Sequence, residues 1–340
     1  MKHSLKAILS LSLALICLLT ALPLPTLAEE AAECPYSLFV YELPKGYKKP
    51  IEQAGTVTEE HYTTYAYDEQ GNPGEAMDAT LYVYTPYGYD PSRQYNILYL
   101  LHGGGENEGY WFGMKEYAEG GEKYSKAQRK YTTSVLDNMI ANGVCGDVIV
   151  VTPTFYNSFN ATQDLSRFRY EMKNDIIPAV EAKYSTYAQG DVTPENLIAS
   201  RDHRAYAGLS MGSMTGFQAI WGGCIDYFGY IGNFSAWAVA GDEAEVKEYA
   251  QVLLKAKTED FADYPIRYWY NGTGTKDMAR EGHVIGYAEM LEKGGDLFRE
   301  GEDYANGDNC IMVDLPGMGH AYNAWIIDLY NVLSVFFKVN

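Results

Sequence analysis

Cysteine is scarce in this chain: five in 340 residues, at positions 17, 34, 145, 224 and 310, with no C-x-x-C pair among them. That spacing excludes the short-range thiolate clusters of zinc and iron–sulfur sites, so neither a metal nor another cofactor is expected. The four beyond residue 28 allow three pairings. One or two disulfides would suit an exported chain, and four buried thiols would suit an anaerobic host equally well. Basic charge is also scarce, with 26 Lys+Arg against 45 Asp+Glu and a formal net charge of −19. Such an excess of acid argues against nucleic acid and anionic membranes as partners and favours a neutral or polymer-bound substrate. Beyond residue 22 no apolar run is long enough to span a bilayer. No Pro/Ser/Thr-rich linker, internal repeat or low-complexity block divides the chain.

What is present begins with a leader-like start. Lys2, His3 and Lys6 precede an apolar run from Ala7 to Leu22 and a small-residue end at Thr26-Leu27-Ala28, the three parts of a secretory signal peptide. Residues 1–28 are therefore expected to be removed after Ala28. Ile16 is too bulky before Cys17 for a lipoprotein signal, so the product should be secreted, without a membrane anchor, as a monomer or weak dimer. Loss of two lysines and no acids takes the net charge to about −21. Residues 29–340 read as a single domain.

Thr56 to Tyr67 and Asp78 to Tyr84 alternate in strand fashion around Gly71-Asn72-Pro73-Gly74, which predicts an antiparallel hairpin. Asn96 to Leu101 and Asp147 to Val151 are continuous apolar runs, as expected of strands covered on both faces. Further strands are expected before Ser210, around Tyr227 to Asn233, and at Ile266 to Tyr270 and Ile311 to Leu315. Helices are expected at Ser134 to Asn142, Phe168 to Tyr184, Met214 to Trp221, Asp242 to Lys255, Val284 to Lys293 and Ala324 to Phe337. This alternation predicts an α/β fold with a mostly parallel central sheet, helices on both faces and its site at the carboxyl ends of the strands.

Gly208-Leu209-Ser210-Met211-Gly212 fits that site. A serine at the tip of a tight strand-to-helix turn needs glycines two positions either side, and the new helix aims its first N–H groups at the space above the hydroxyl. Ser210 is thus the candidate nucleophile, with Met211 N–H as one oxyanion donor. With 33 glycines in the chain, such a pentapeptide can arise by accident; the parts that follow give it context. Among the histidines, His320 lies on the loop Gly317-Met318-Gly319 directly after the last strand and is the candidate base, with His283 in reserve. Asp277, between Ser210 and His320 in sequence and past a strand, is the candidate acid ahead of Asp314 and Glu281; an Asp there could equally cap a helix. The second oxyanion donor should come from His102-Gly103-Gly104-Gly105, through Gly104 or Gly105, with His102 bracing the loop.

These stretches resemble carbohydrate esterase family 1, the esterase-D-like branch of the α/β-hydrolases, and most of all its secreted feruloyl esterases. The matching segments are Tyr99 to Asn107, Asn174 to Pro178, Ala207 to Gly212, Gly274 to Asp277 and Gly319 to Trp325; the likeness runs from about residue 55 to 337. The resemblance implies an α/β-hydrolase fold and Ser210, Asp277 and His320 as nucleophile, acid and base. It also implies a feruloylated or acetylated xylan as substrate. The segment Glu106 to Tyr131 is long for the family and leaves acyl preference open.

A feruloyl ring would need a flat aromatic slot. Trp111, Phe112, Trp237 and Trp325, with Tyr110, Phe155 and Phe234 beside them, are the candidates, although core packing explains any one of them as well. The competing readings are an acetyl xylan esterase, an acyltransferase with the same triad, and a carbohydrate-binding protein that kept the fold without the reaction. Three N-x-S/T sites, at Asn160, Asn233 and Asn271, matter only in a glycosylating host.

Overall fold

Alternating apolar side chains make β1 (Thr56–Tyr67) and β2 (Pro73–Thr85) an antiparallel hairpin. Its turn is closed by Asp68, whose Oδ1 accepts from the N–H groups of Gln70 and Asn72 at 2.9 and 2.8 Å. The computed structural model describes residues 33–114 and 131–338, so the leader expected at 1–28 and most of the segment between Glu106 and Tyr131 lie outside the described residues. From Cys34 onward the chain forms one compact unit.

The chain continues through β3 (Asn96–Leu101), α1 (Tyr131–Ala141), β4 (Val148–Thr152), α2 (Tyr156–Thr162), α3 (Phe168–Glu171), α4 (Ile177–Glu181) and α5 (Pro194–Ala199). Then come β5 (Arg204–Leu209), α6 (Met211–Thr215), β6 (Tyr230–Phe234), α7 (Glu243–Lys255), β7 (Tyr268–Gly274), α8 (Arg280–Gly294), β8 (Cys310–Leu315) and α9 (Tyr322–Val335). The eight strands form one sheet in the order β1-β2-β4-β3-β5-β6-β7-β8. Its first two pairings are antiparallel and the other five parallel. This is the mostly parallel α/β arrangement expected.

Burial on both faces explains the continuous apolar strands. Ile97, Tyr99 and Leu101 of β3 point into one core layer with Met172, Ile176, Phe217 and Leu253. Leu98 and Leu100 point into the other, with Val135 and Leu136 of α1 and Leu329 and Leu333 of α9. One strand thus anchors two helical layers, which is why it carries no polar alternation.

Several boundaries differ from the sequence reading. The helix expected over 168–184 is two short helices joined by a π-turn at Met172–Ile176 and ends at Glu181. Pro178 has no N–H to give to the preceding turn, and the widened turn lets the chain pass it. Strand β7 runs on to Gly274, four residues beyond Tyr270, paired with β8 through Gly274↔Leu315. Its glycines fit where side chains would not: a Cβ on Gly272 would collide with Asp328 and one on Gly274 with the Met318 carbonyl. Helices α2 and α5, too short to show a periodic pattern, were not foreseen.

The four cysteines within the described residues are all unpaired, and Cys145, Cys224 and Cys310 are buried. Burial pushes these three thiols up to about 12, which leaves them unreactive. Asn233 and Asn271 are buried in β6 and β7, so only Asn160 of the three glycosylation motifs is accessible in the folded protein. Among the described residues no helix is long and apolar enough to cross a membrane.

Candidate active site

Ser210 stands between β5 and α6 with φ 49° and ψ −118°, a conformation that L-residues adopt only where their surroundings impose it. Here the imposing contacts are visible. Ser210 N–H donates to the Phe234 carbonyl of the neighbouring strand at 2.8 Å, and the Tyr206 hydroxyl donates to the Gly212 carbonyl at 2.7 Å. The two flanking glycines are required sterically. A Cβ on Gly208 would lie 2.6 Å from the Gly212 carbonyl, and one on Gly212 would collide with the His102 carbonyl.

His320 reaches this serine from the loop after β8. Its Nε2 lies 2.9 Å from Ser210 Oγ, and its Nδ1 lies 2.9 Å from Asp277 Oδ1. The loops carrying acid and base are tied together: Lys276 N–H donates to the Met318 carbonyl and Gly317 N–H to Thr275 Oγ1, at 2.8 and 2.7 Å. Asp277 also accepts from Ala279 N–H at 2.8 Å, so it organises the turn into α8 as well as meeting the imidazole. Burial pulls its carboxyl up, but the hydrogen bonds from His320 and from Ala279 N–H outweigh that and hold it below the ordinary carboxylate value. A base kept in line by a charged carboxylate, beside a strained serine, is an arrangement that can generate an alkoxide for attack on a carbonyl.

Asp314 forms a two-pronged pair with Arg280, and Glu281 is exposed on α8. His283 is fully buried, with Nε2 on Asn271 Oδ1 at 3.0 Å, and burial pushes it down to about 3. It stays neutral inside the core and is no reserve base.

The glycine loop after β3 is braced on several sides. His102 is buried, with Nδ1 at 2.8 Å from the Gly103 carbonyl and Nε2 at 2.8 Å from Thr154 Oγ1. Burial pushes it down to about 4, so it is neutral, with Nδ1–H donating and Nε2 accepting. Gly103 N–H goes to Glu106 Oε2 at 2.7 Å and Gly105 N–H to the Tyr156 hydroxyl at 2.6 Å. Between them Gly104 lies against Met211, and among the described residues neither Gly104 N–H nor Met211 N–H has a protein acceptor. The geometry therefore separates Gly104 from Gly105. Glu106, Thr154 and Tyr156, which do this bracing, carried no signal in the sequence beyond their nearness to the loop or to β4.

The aromatic candidates for a substrate slot fall in the interior of the folded chain. Trp111, Phe112, Trp237 and Trp325 are 0%, 5%, 2% and 2% exposed. Their polar edges are spent on internal partners: Trp111 Nε1 donates to the Leu101 carbonyl, Trp237 Nε1 to the Val246 carbonyl and Trp325 Nε1 to Ser235 Oγ. Large amphipathic rings bury well when that one donor finds an acceptor, and here each does.

The Esterase family model matches residues 76–330. The chain belongs to the Esterase family. This esterase is 33% identical over 323 residues to endo-1,4-beta-xylanase Y of Acetivibrio thermocellus, a match covering 90% of this chain and 26% of that one. It is 28% identical over 171 residues to an endo-1,4-beta-xylanase/feruloyl esterase of Xylanibacter ruminicola, covering 44% and 20%. The esterase thus spans about a quarter or less of the length of these curated relatives. Among solved structures it resembles a serine-to-alanine mutant of the feruloyl esterase module from Clostridium thermocellum complexed with sinapinate. The TM-score is 0.72 at 32% identity, with 88% of this chain and 93% of that one covered. The ferulic acid esterase of Anaeromyces mucronatus, at 20% identity and TM-score 0.60, shares the fold. The esterase is a carboxylic ester hydrolase.

Proposed function

We propose that this chain is a secreted serine esterase that releases ferulate and related hydroxycinnamates from xylan. The observation that carries the mechanism is the unbroken contact from Asp277 through His320 to Ser210, at 2.9 Å on each side of the imidazole. In this reading His320 Nε2 takes the proton as Ser210 Oγ bonds to the ester carbonyl carbon. The oxyanion is received by the N–H groups of Met211 and Gly104. His320 then returns the proton to the departing sugar oxygen, leaving an acyl-serine, and water activated by the same imidazole resolves it to the free acid.

Support for the acyl group comes from the feruloyl esterases among the relatives, one of them holding sinapinate. Support for export comes from the sequence of residues 1–28. Burial of the four nominated aromatics favours one alternative, deacetylation of acetyl xylan, since a small acyl group needs no ring slot.

The test is turnover of methyl ferulate and of p-nitrophenyl acetate by residues 29–340, beside the Ser210→Ala variant. The expected result is methyl ferulate hydrolysis that falls by about 10⁴-fold or more in the variant. Turnover of the acetate ester alone would keep the mechanism and move the function to deacetylation. Equal turnover by both proteins would remove Ser210 from the mechanism.

A further inference from the structure

Ser235 has no part in the sequence reading, yet it stands at the carboxyl end of β6, between the strand that leads to Ser210 and the strand that leads to Asp277. Its backbone is locked there: φ is 56°, in the left-handed region, and its N–H donates to the Gly272 carbonyl of β7 at 2.8 Å. A serine held in this conformation carries a conformational cost that asparagine or glycine would reduce. Its side chain is the reason to look further. Ser235 is completely buried, and its Oγ accepts from Trp325 Nε1 at 2.9 Å. Having accepted from the indole, the hydroxyl still has its own proton to place. Among the described residues no acceptor within hydrogen-bond geometry takes it.

The carboxylate that holds His320 has an oxygen that lacks a donor. Asp277 uses Oδ1 for His320 and for Ala279 N–H, while its Oδ2 is buried with no hydrogen-bond partner among the described residues. A buried carboxylate oxygen left bare is costly. The Ser235 hydroxyl is one of the few groups that hold the Asp277 charge against burial. Trp325 closes the arrangement from the other side, since its ring packs edge-to-face on His320 at 5.1 Å. One tryptophan therefore fixes both the imidazole and the serine on either side of the acid.

We propose that Ser235, oriented by the Trp325 indole N–H, is a positioning residue for the reaction: it donates its hydroxyl proton to Asp277 Oδ2 and so holds the carboxylate that aligns His320. This rests on the assignment of Ser210, His320 and Asp277 made above. It extends the chain of contacts by two buried residues, one just after β6 and one from α9. It also explains why a serine stands in a left-handed position at this strand end.

The test uses Ser235→Ala and Ser235→Gly, the second because glycine removes the hydroxyl while easing the backbone, together with Trp325→Phe, which keeps the ring and deletes the N–H. Each is assayed on the better ester of the pair above, across pH, beside the wild type and Ser210→Ala. In both Ser235 variants kcat is expected to fall about tenfold with KM within about twofold, because a carboxylate is touched and the substrate is not. The acid limb of kcat/KM should move to higher pH, since a carboxylate stripped of a donor is more easily protonated and attracts the imidazolium more strongly. Trp325→Phe should shift the limb in the same direction by less. A merely structural role would lower the amount of active enzyme without moving the limb. An unmoved limb in well-folded Ser235→Gly, with Ser210→Ala inactive, would overturn the role of Ser235 alone. Activity retained in Ser210→Ala would overturn the underlying triad instead.

Discussion

At the scale of single residues, the site depends on places where a side chain is excluded. Gly212 lets the first turn of α6 lie against the loop after β3, where a Cβ would meet the His102 carbonyl and come within 3.1 Å of the Leu101 side chain. Relief of that collision would push the nucleophile turn away from the Gly104 N–H. Gly212→Ala should therefore cost about 1–3 kcal/mol of stability, as overpacking does. It should also cost about 10²-fold in kcat/KM, because a misplacement near 1 Å at a reacting centre has that size of effect. Thermal unfolding and steady-state kinetics on one preparation would check both, and an alanine variant with unchanged kcat/KM would show that the close approach is not needed. The pentapeptide around Ser210 was legible because its glycines answer a local steric demand. Ser235 was not, since a buried serine differs from any other serine only by what surrounds it.

At the scale of elements, the hairpin is fastened to the helical layer by a buried carboxyl. Glu171 of α3 accepts from the Tyr62 hydroxyl of β1 at 2.8 Å and, in α2, from Asn157 Nδ2 at 2.9 Å and the Ser158 hydroxyl at 2.5 Å. Burial pushes Glu171 up to about 7 against those three donors. A carboxyl raised in the folded state contributes stability that is complete below its unfolded value, near 4.5, and is lost as the pH rises through about 7. The wild type should lose part of its Tm between pH 5 and about 8, and Glu171→Gln, which cannot ionise, should flatten that stretch of the curve. A variant whose Tm falls with pH as steeply as the wild type would assign the dependence to other groups. The helix carrying Glu171 was foreseen as one long element. Its division by a π-turn follows from Pro178, whose missing N–H is plain in the sequence, but whether a proline ends, kinks or widens a helix depends on the packing around it.

At the scale of the whole molecule, the two readings of the cysteines separate. The described residues hold four free thiols, three of them buried, so the fold stands on its two apolar layers and carries no disulfide. Residues 29–340 should keep the same Tm with and without a reducing agent. In a thiol titration Cys145, Cys224 and Cys310 should react only after unfolding. A Tm that drops on reduction would reveal a bond between two of them. Sequence spacing could not decide this, because four isolated cysteines allow pairing or none, and only the distances in the folded chain choose.

The sequence by itself determined the α/β alternation, the strained serine turn and the order of Ser210, Asp277 and His320 along the chain. Each of these is a local demand: an apolar run, a pair of glycines, a residue type just past a strand. What it left open is whatever depends on neighbours far apart in sequence. Tertiary structure decided that Gly104 has the unengaged N–H, because Tyr156 takes that of Gly105. It buried Trp111, Phe112, Trp237 and Trp325, with an interior acceptor within reach of each of the three indoles. It also brought the serine after β6 together with a tryptophan of α9, a meeting that exists only once the parallel strands have aligned their carboxyl ends.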